Sequence, residues 1–278
     1  MVRVVHRRIS GRSRPLARLP KILSRAGGAT LAYRHSAGGS SRPGVLFCTG
    51  FRSDMSGGKA SALAVACARR RQQFTRFDYQ GHGASSGRFE DGTIGLWRAD
   101  ALDILDRVTE GPQIVVGSSM GGWIASLLAA DRPDRVAGLV LIAPALDFTE
   151  ALIRPRLTAA ARHALETAGV WYEPSDYDPA GYPITRDLLD EGRRNLLLPG
   201  PIPFDGPVHI LQGMRDASVP WQHALRVAEG FRSRAVVLTL IKDGEHRLSE
   251  PDDIRRLIAS VDSLSQMSSA SSPASPSR

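Results

Sequence analysis

From Gly44 onward, short apolar runs alternate with longer amphipathic stretches: GVLFCTG, GGKASALAVACARR, QFTRFDYQG, TIGLWRADALDILDRV and PQIVVGSS. The short runs are apolar at successive positions, the pattern of strands buried on both faces, whereas the longer stretches space their apolar residues by three and four, as helices do. This alternation predicts a parallel sheet covered by helices. It continues through GWIASLLAADRP, stopped near Pro133, and RVAGLVLIAP, stopped at Pro144, because proline cannot continue either element. Between Asp147 and about Phe204 the rhythm breaks into a helical stretch, TEALIRPRLTAAARHALETAG, and an aromatic, proline-rich stretch, VWYEPSDYDPAGYP, which reads as loops. Alternation resumes with GPVHILQG, PWQHALRVAEGF, RAVVLTLIKDG and EPDDIRRLIASVDSL. The predicted fold is therefore α/β: one domain over residues 28–262, mostly parallel, with helices on both faces and a helical cap inserted at about 147–204.

Composition changes this picture only at the ends. The chain of 278 residues is long enough for one full core, and its net charge of +8 is concentrated: residues 1–52 hold eleven of the 36 Lys and Arg and none of the 28 Asp and Glu. The body is thus slightly acidic, which excludes a nucleic-acid interface spread over the fold. Residues 1–27 read as a basic, disordered arm or a targeting segment, without the continuous apolar stretch of a secretory signal. Residues 263–278, rich in Ser, Ala and Pro, are expected to be a disordered tail. Cys48 and Cys67 lie in apolar surroundings and are expected as buried free thiols, and no window has the roughly 18 apolar residues of a membrane span. Thirty-three arginines against three lysines resemble the usage of a GC-rich bacterial genome, so the expected location is the cytoplasm, with the mitochondrion as the alternative if the arm is a transit peptide.

The chemistry gathers around IVVGSSMGG. GxSxG alone is a weak signal, but here an apolar strand precedes it and the helical GWIASLLAA follows, the context a nucleophile elbow requires. The frame Gly117-Ser118-Ser119-Met120-Gly121 places glycines two positions either side of Ser119, whereas Ser118 would be flanked by Val116 and Met120. Ser119 is the candidate nucleophile, with a turn or helix-capping serine as its plain alternative. A serine hydroxyl needs a base, and the base a carboxylate, expected in the order Ser, acid, His on loops after later strands. Asp216 follows VHILQG, and His246 is the only histidine beyond the last predicted strand. Asp243 is a weaker acid candidate because it shares a loop with His246, and His82 in a glycine-rich loop reads as structural. The expected oxyanion donors are the backbone N–H groups of Met120, after the nucleophile, and Phe51, just past Gly50. Trp171, Tyr172, Tyr177 and Tyr182 could line an acyl pocket or pack the cap against the core.

Together FDYQGHGASSG, GLWRADALDILD, GPQIVVGSSMGGW, LQGMRDASVPW and HRL resemble the α/β-hydrolase family over residues 28–262, and within it the alpha/beta hydrolase domain-containing protein 10 type. The resemblance implies a serine hydrolase with Ser119, Asp216 and His246 as nucleophile, acid and base, and palmitoyl-protein thioesterase or acyl-glucuronide esterase activity. The vertebrate relatives it implies are mitochondrial. Where many of the family carry His-Gly at the oxyanion loop, this chain has Thr49-Gly50. The expected substrate is a small-molecule ester or thioester, or an acylated protein, with no cofactor, metal, nucleic acid or integral membrane segment. A peptidase or lactone hydrolase using the same three residues, and a catalytically silent binding module, are the alternatives.

Overall fold

Strand β5 (Gln113–Ser118) shows how the pattern becomes architecture. Every residue in it is buried, and its side chains alternate between two cores: Val115 enters one, Ile114 and Val116 the other. The structure, a computed structural model, describes residues 19–175 and 178–270. An eight-stranded sheet runs in the order β1-β2-β4-β3-β5-β6-β9-β10, formed by β1 (Lys21–Ser24), β2 (Thr30–Ser36), β3 (Gly44–Cys48), β4 (Phe74–Phe77), β5, β6 (Val136–Ile142), β9 (Val208–Gly213) and β10 (Val236–Ile241). β2 pairs antiparallel with both β1 and β4, and the neighbours β4-β3-β5-β6-β9-β10 pair parallel.

Helices cover both faces. α2 (Ile94–Arg107), α3 (Met120–Asp131) and α6 (Trp221–Gly230) close one core, which holds Trp97, Trp123 and Val227, while α1 (Gly58–Arg69) and α7 (Pro251–Ala270) close the other through Leu63, Cys67, Leu257 and Val261. Both cysteines are free and buried, and burial pushes the Cys48 thiol up to about 12. Among the described residues no helix is long and apolar enough to cross a membrane.

The insertion after β6 contains α4 (Ala159–Ala168), a hairpin of β7 (Val170–Ser175) and β8 (Asp178–Thr185), and α5 (Arg186–Gly192). Thr158 and Thr185 cap α4 and α5, their hydroxyls accepting from the N–H of Ala161 and Leu188. A buried bond ties the insertion to the body, and a second set of contacts closes the insertion on itself. The Trp123 indole N–H donates to the Asn195 carbonyl at 3.0 Å, and the Asp147 carboxylate accepts from the N–H of Leu197 at 2.9 Å and of Leu198 at 2.8 Å. Asp147 thus joins the start of the insertion to its return.

Three expectations need correction. The hairpin stands where VWYEPSDYDPAGYP was expected to be loop: its prolines suggested loop, but an isolated two-stranded ribbon has free edges, where proline costs no ladder bond. The basic arm, expected over residues 1–27, gives way to structure at Lys21, since β1 pairs with β2, Leu23 packs on the core and Arg25 bonds both Asp100 and Asp103. Residues 1–18 lie outside the described residues. The tail expected from 263 is helical to Ala270, because Leu264 continues the buried stripe of Leu257 and Val261, and the Ser265 hydroxyl accepts from Gln72 Nε2 at 2.9 Å. Residues 271–278 lie outside the described residues.

Asp147→Ala leaves the half-buried amides of Leu197 and Leu198 without their acceptor. The expected cost is about 2 kcal/mol, read as a lower urea midpoint at unchanged slope, and an unchanged midpoint would show that these amides find other partners.

Candidate active site

The site is built where β5 hands over to α3. Ser119 sits at that junction with φ 55° and ψ −121°, a conformation that side-chain-bearing residues rarely adopt and that lifts its hydroxyl off the sheet. The bend closes because its flanks lack side chains: a Cβ on Gly117 would lie 2.2 Å from the Gly121 carbonyl oxygen, and one on Gly121 would lie 2.2 Å from that of Cys48. The Ser119 N–H donates to the Ile142 carbonyl at 2.8 Å, and its carbonyl accepts from Gly122 at 2.8 Å and Ala145 at 3.1 Å. These bonds lock the strained residue to β6 and α3.

The other two predicted side chains converge on it. His246, on the loop after β10, has Nε2 at 3.0 Å from Ser119 Oγ, and its Nδ1 lies 2.7 Å from Asp216 Oδ2. Asp216, on the loop after β9, has a fully buried side chain. Its carboxylate accepts four hydrogen bonds: Oδ1 from the N–H of Ser218 at 2.9 Å and Val219 at 2.8 Å, and Oδ2 from His246 and from Gln212 Nε2 at 3.1 Å. A carboxylate so held presents Oδ2 to Nδ1, an arrangement that suits an imidazole with Nδ1 as donor and Nε2 as acceptor. Asp243, the weaker candidate, instead pairs with Arg215 at 2.8 Å on the surface.

The amides of Phe51 and Met120 also border the site. Among the described residues neither N–H donates to a protein acceptor, and both residues line the same cleft as Ser119 and His246. This cleft of about 660 Å³ is lined by the apolar Phe148, Leu152, Ile153 and Ile184 and by the charged Arg52, Asp54, Lys59, Arg156, Glu173 and Arg247. Of the four aromatic cap candidates, Tyr182 lines the cleft and meets the Phe51 ring edge-on at 6.0 Å. Trp171 packs on the core and Tyr172 is 51% exposed, so neither lines it, and Tyr177 lies outside the described residues. Among the described residues no group of three or more His, Cys, Asp or Glu could hold a metal ion.

Two supporting residues have contacts that the sequence reading did not supply. Gln212 bonds Asp216 and also donates to the Val219 carbonyl at 3.0 Å, bracing the acid's loop; its only signal is a buried amide in an apolar strand. His82 was read as structural, but its place beneath the Phe51 loop was not foreseen. Its Nε2 accepts from the Arg52 N–H at 3.2 Å, and its ring meets Trp97, Phe89 and Tyr79 edge-on. Burial in this aromatic nest pushes the imidazole down to about 4, so it is neutral in the folded protein.

That depression sets a sign. The unfolded chain binds the His82 proton first, so stability from neutral His82 is present above about pH 6.5 and is lost as pH falls toward 4. Between pH 7.5 and 5 the expected loss is about 2 kcal/mol. Denaturant titrations of wild type and His82→Gln should differ by that amount in their pH dependence; parallel curves would place the acid sensitivity elsewhere.

The chain is similar to known proteins over most of its length. The family model described as serine aminopeptidase, S33, matches residues 39–188. Palmitoyl-protein thioesterase ABHD10, mitochondrial, of Mus musculus is 41% identical over 243 residues, covering 87% of this chain and 81% of that protein. Its Homo sapiens counterpart is 38% identical over 235 residues, covering 84% and 76%. Among solved structures, alpha/beta hydrolase domain-containing protein 10 from mouse superposes with a TM-score of 0.83 at 40% identity, covering 90% of this chain and 99% of its own. A protein of Agrobacterium vitis S4, solved under the name of a hydrolase, gives 0.86 at 42%, covering 91% and 100%. A nucleophile-elbow fold matched over nearly its whole length leaves one assignment: the chain belongs to the α/β-hydrolase family, in the group of alpha/beta hydrolase domain-containing protein 10, and is a hydrolase.

Proposed function

We propose that the protein is a serine hydrolase that cleaves carboxylic esters or thioesters through an acyl-enzyme, in the manner of an acyl-protein thioesterase or carboxylesterase. The observation that carries the reading is the unbroken hydrogen-bonded path from Ser119 Oγ through His246 to Asp216 at the foot of a half-apolar cleft. His246 Nε2 takes the Ser119 proton as Oγ attacks the acyl carbonyl carbon, and the amides of Phe51 and Met120 bind the oxyanion. As the tetrahedral intermediate collapses, His246 gives that proton to the leaving sulfur or oxygen, and Asp216 stabilises the transient imidazolium. Water, deprotonated by the same nitrogen, then releases the acid and restores Ser119. The apolar lining of Phe148, Leu152, Ile153 and Ile184 suits an acyl chain.

The relatives named palmitoyl-protein thioesterase favour a thioester. A second reading, a peptidase on the same three residues, is favoured by the description of the matching family model. The relatives' names also carry the word mitochondrial. On composition we place this protein in the cytoplasm, with import as the alternative.

Ser119→Ala should lower turnover of p-nitrophenyl octanoate and of an S-palmitoylated peptide by about 10³-fold or more and abolish labelling by a fluorophosphonate, and full activity in that variant would end the assignment. Asp216→Asn should cost a comparable factor through the wrong imidazole tautomer. Hydrolysis of amino-acid arylamides faster than of esters would favour the peptidase reading.

A further inference from the structure

The loop that carries Phe51 holds a strain of its own. The Ser53 N–H donates to the Gly50 carbonyl at 3.2 Å, closing a turn over Gly50, Phe51, Arg52 and Ser53 in which Arg52 has φ 55° and Phe51 does not share the positive φ. A positive φ at the third position alone marks a type II turn, where glycine is the usual residue. Turning the central peptide over gives a type I turn and returns Arg52 to a negative φ, so an arginine here favours the other orientation. The observed orientation is held by His82, whose Nε2 accepts from the Arg52 N–H at 3.2 Å. A turned peptide would present the Phe51 carbonyl to that nitrogen, acceptor against acceptor. His82 is itself fixed: its Nδ1 donates to the Gln80 carbonyl at 3.2 Å, which also accepts from the Trp97 indole N–H at 3.1 Å. Its ring meets Phe89 at 5.0 Å and Trp97 at 5.2 Å, and the same two rings meet Phe51 at 4.8 Å and 5.8 Å. With Nδ1 the donor and burial keeping the ring neutral, Nε2 has only a lone pair to offer.

We infer that His82 is a positioning residue for the oxyanion hole: its ring nitrogen selects the orientation of the peptide between Phe51 and Arg52 and thereby aims the Phe51 N–H at the acyl oxygen. This deepens the serine-hydrolase reading and rests on it. Turning that peptide rotates ψ of Phe51 and φ of Arg52 together, so the residue that supplies the donor is the pivot. Oxyanion stabilisation needs donors fixed before charge develops, and a donor on a loop that exchanges between two turns is fixed for only part of the time. The far end of the loop is anchored separately, the Met55 N–H donating to the buried Asp78 carboxylate at 2.7 Å. Losing the His82 acceptor therefore frees the middle of the loop and leaves its end in place.

The test is a double-mutant cycle between His82 and Arg52, read with p-nitrophenyl octanoate. His82→Phe keeps a ring between Phe89 and Trp97 but has no acceptor. It should lower kcat by about tenfold or more, short of the roughly 10²–10³ of a donor lost outright, with KM held within about twofold. His82→Gln, which returns an acceptor oxygen, should keep most of kcat. Glycine takes φ 55° without strain, so in an Arg52→Gly background the same His82→Phe change should cost less than about threefold. The inhibition constant of octyl trifluoromethyl ketone, whose adduct with Ser119 carries an oxyanion, should rise in His82→Phe by the factor by which kcat/KM falls. Where circular dichroism shows His82→Phe unfolded, His82→Met makes the same comparison. An unchanged kcat, a rise in KM alone, or an equal loss in both Arg52 backgrounds overturns the inference and leaves the serine reading standing. Persistent turnover by Ser119→Ala overturns the serine reading itself.

Discussion

The whole site hangs on one strained residue. Ser119 holds a positive φ at the junction of β5 and α3, a conformation that costs on the order of 1–3 kcal/mol and survives only where its surroundings over-determine it. They do so here by burial: α3 is buried from Met120 through Ala129, and β5 is buried throughout. Sliding either element to relax the turn would pull Val115 and Val116 or Trp123 and Ile124 out of their cores, a far larger loss than the strain. The same constraint explains the flanking glycines, since any Cβ at Gly117 or Gly121 would collide with backbone that cannot move. It also delivers Met120 as the first residue of α3, with an amide that no carbonyl of its own helix can satisfy.

Around this point the fold separates rigid support from variable surface. Asp216 and His246 come from loops after β9 and β10, which follow β6 in that order on one side of β5, so parallel pairing brings their C-terminal ends toward Ser119. Hydrogen bonds then remove the freedom that loops would otherwise have. Gln212, Ser218 and Val219 grip Asp216, and His82 holds the Arg52 amide beside Phe51. A loop fixed by neutral, buried partners can aim a donor without moving when charge develops, which is what oxyanion stabilisation demands.

Much of this was legible in the sequence because the informative patterns are local. The strand-turn-helix context of GSSMG needs only neighbouring residues, and the post-strand positions of Asp216 and His246 follow from element order alone. What was missed depends on contacts distant in the chain. The short KILS stretch of β1 has no pattern of its own and exists because β2 offers a free edge and Asp100 and Asp103 receive Arg25. Gln212 earns its role only once Asp216 is folded back against it, and the end of α7 is helical because Leu264 meets a core and Ser265 meets Gln72. Proline-rich VWYEPSDYDPAGYP misled for the opposite reason, since a ribbon outside the main sheet escapes the rule that proline breaks strands.

The lining of the cleft comes from different pieces of chain. The apolar lining includes Leu152, Ile153 and Ile184 from the insertion, whereas Lys59 and Arg247 belong to α1 and to the His246 loop of the body. The insertion is fastened to the body by the Trp123–Asn195 bond, by Glu191, which accepts from the Gly95 N–H at 2.9 Å, and by Leu157, Ala161, Leu165, Leu188 and Leu189, which enter the same core as Trp97 and Trp123. Lys59 is different: through the Arg247 carbonyl it touches the loop that positions the base. A change at Lys59 therefore reaches the loop that carries His246, whereas a change at Leu152 or Ile184 acts through the insertion.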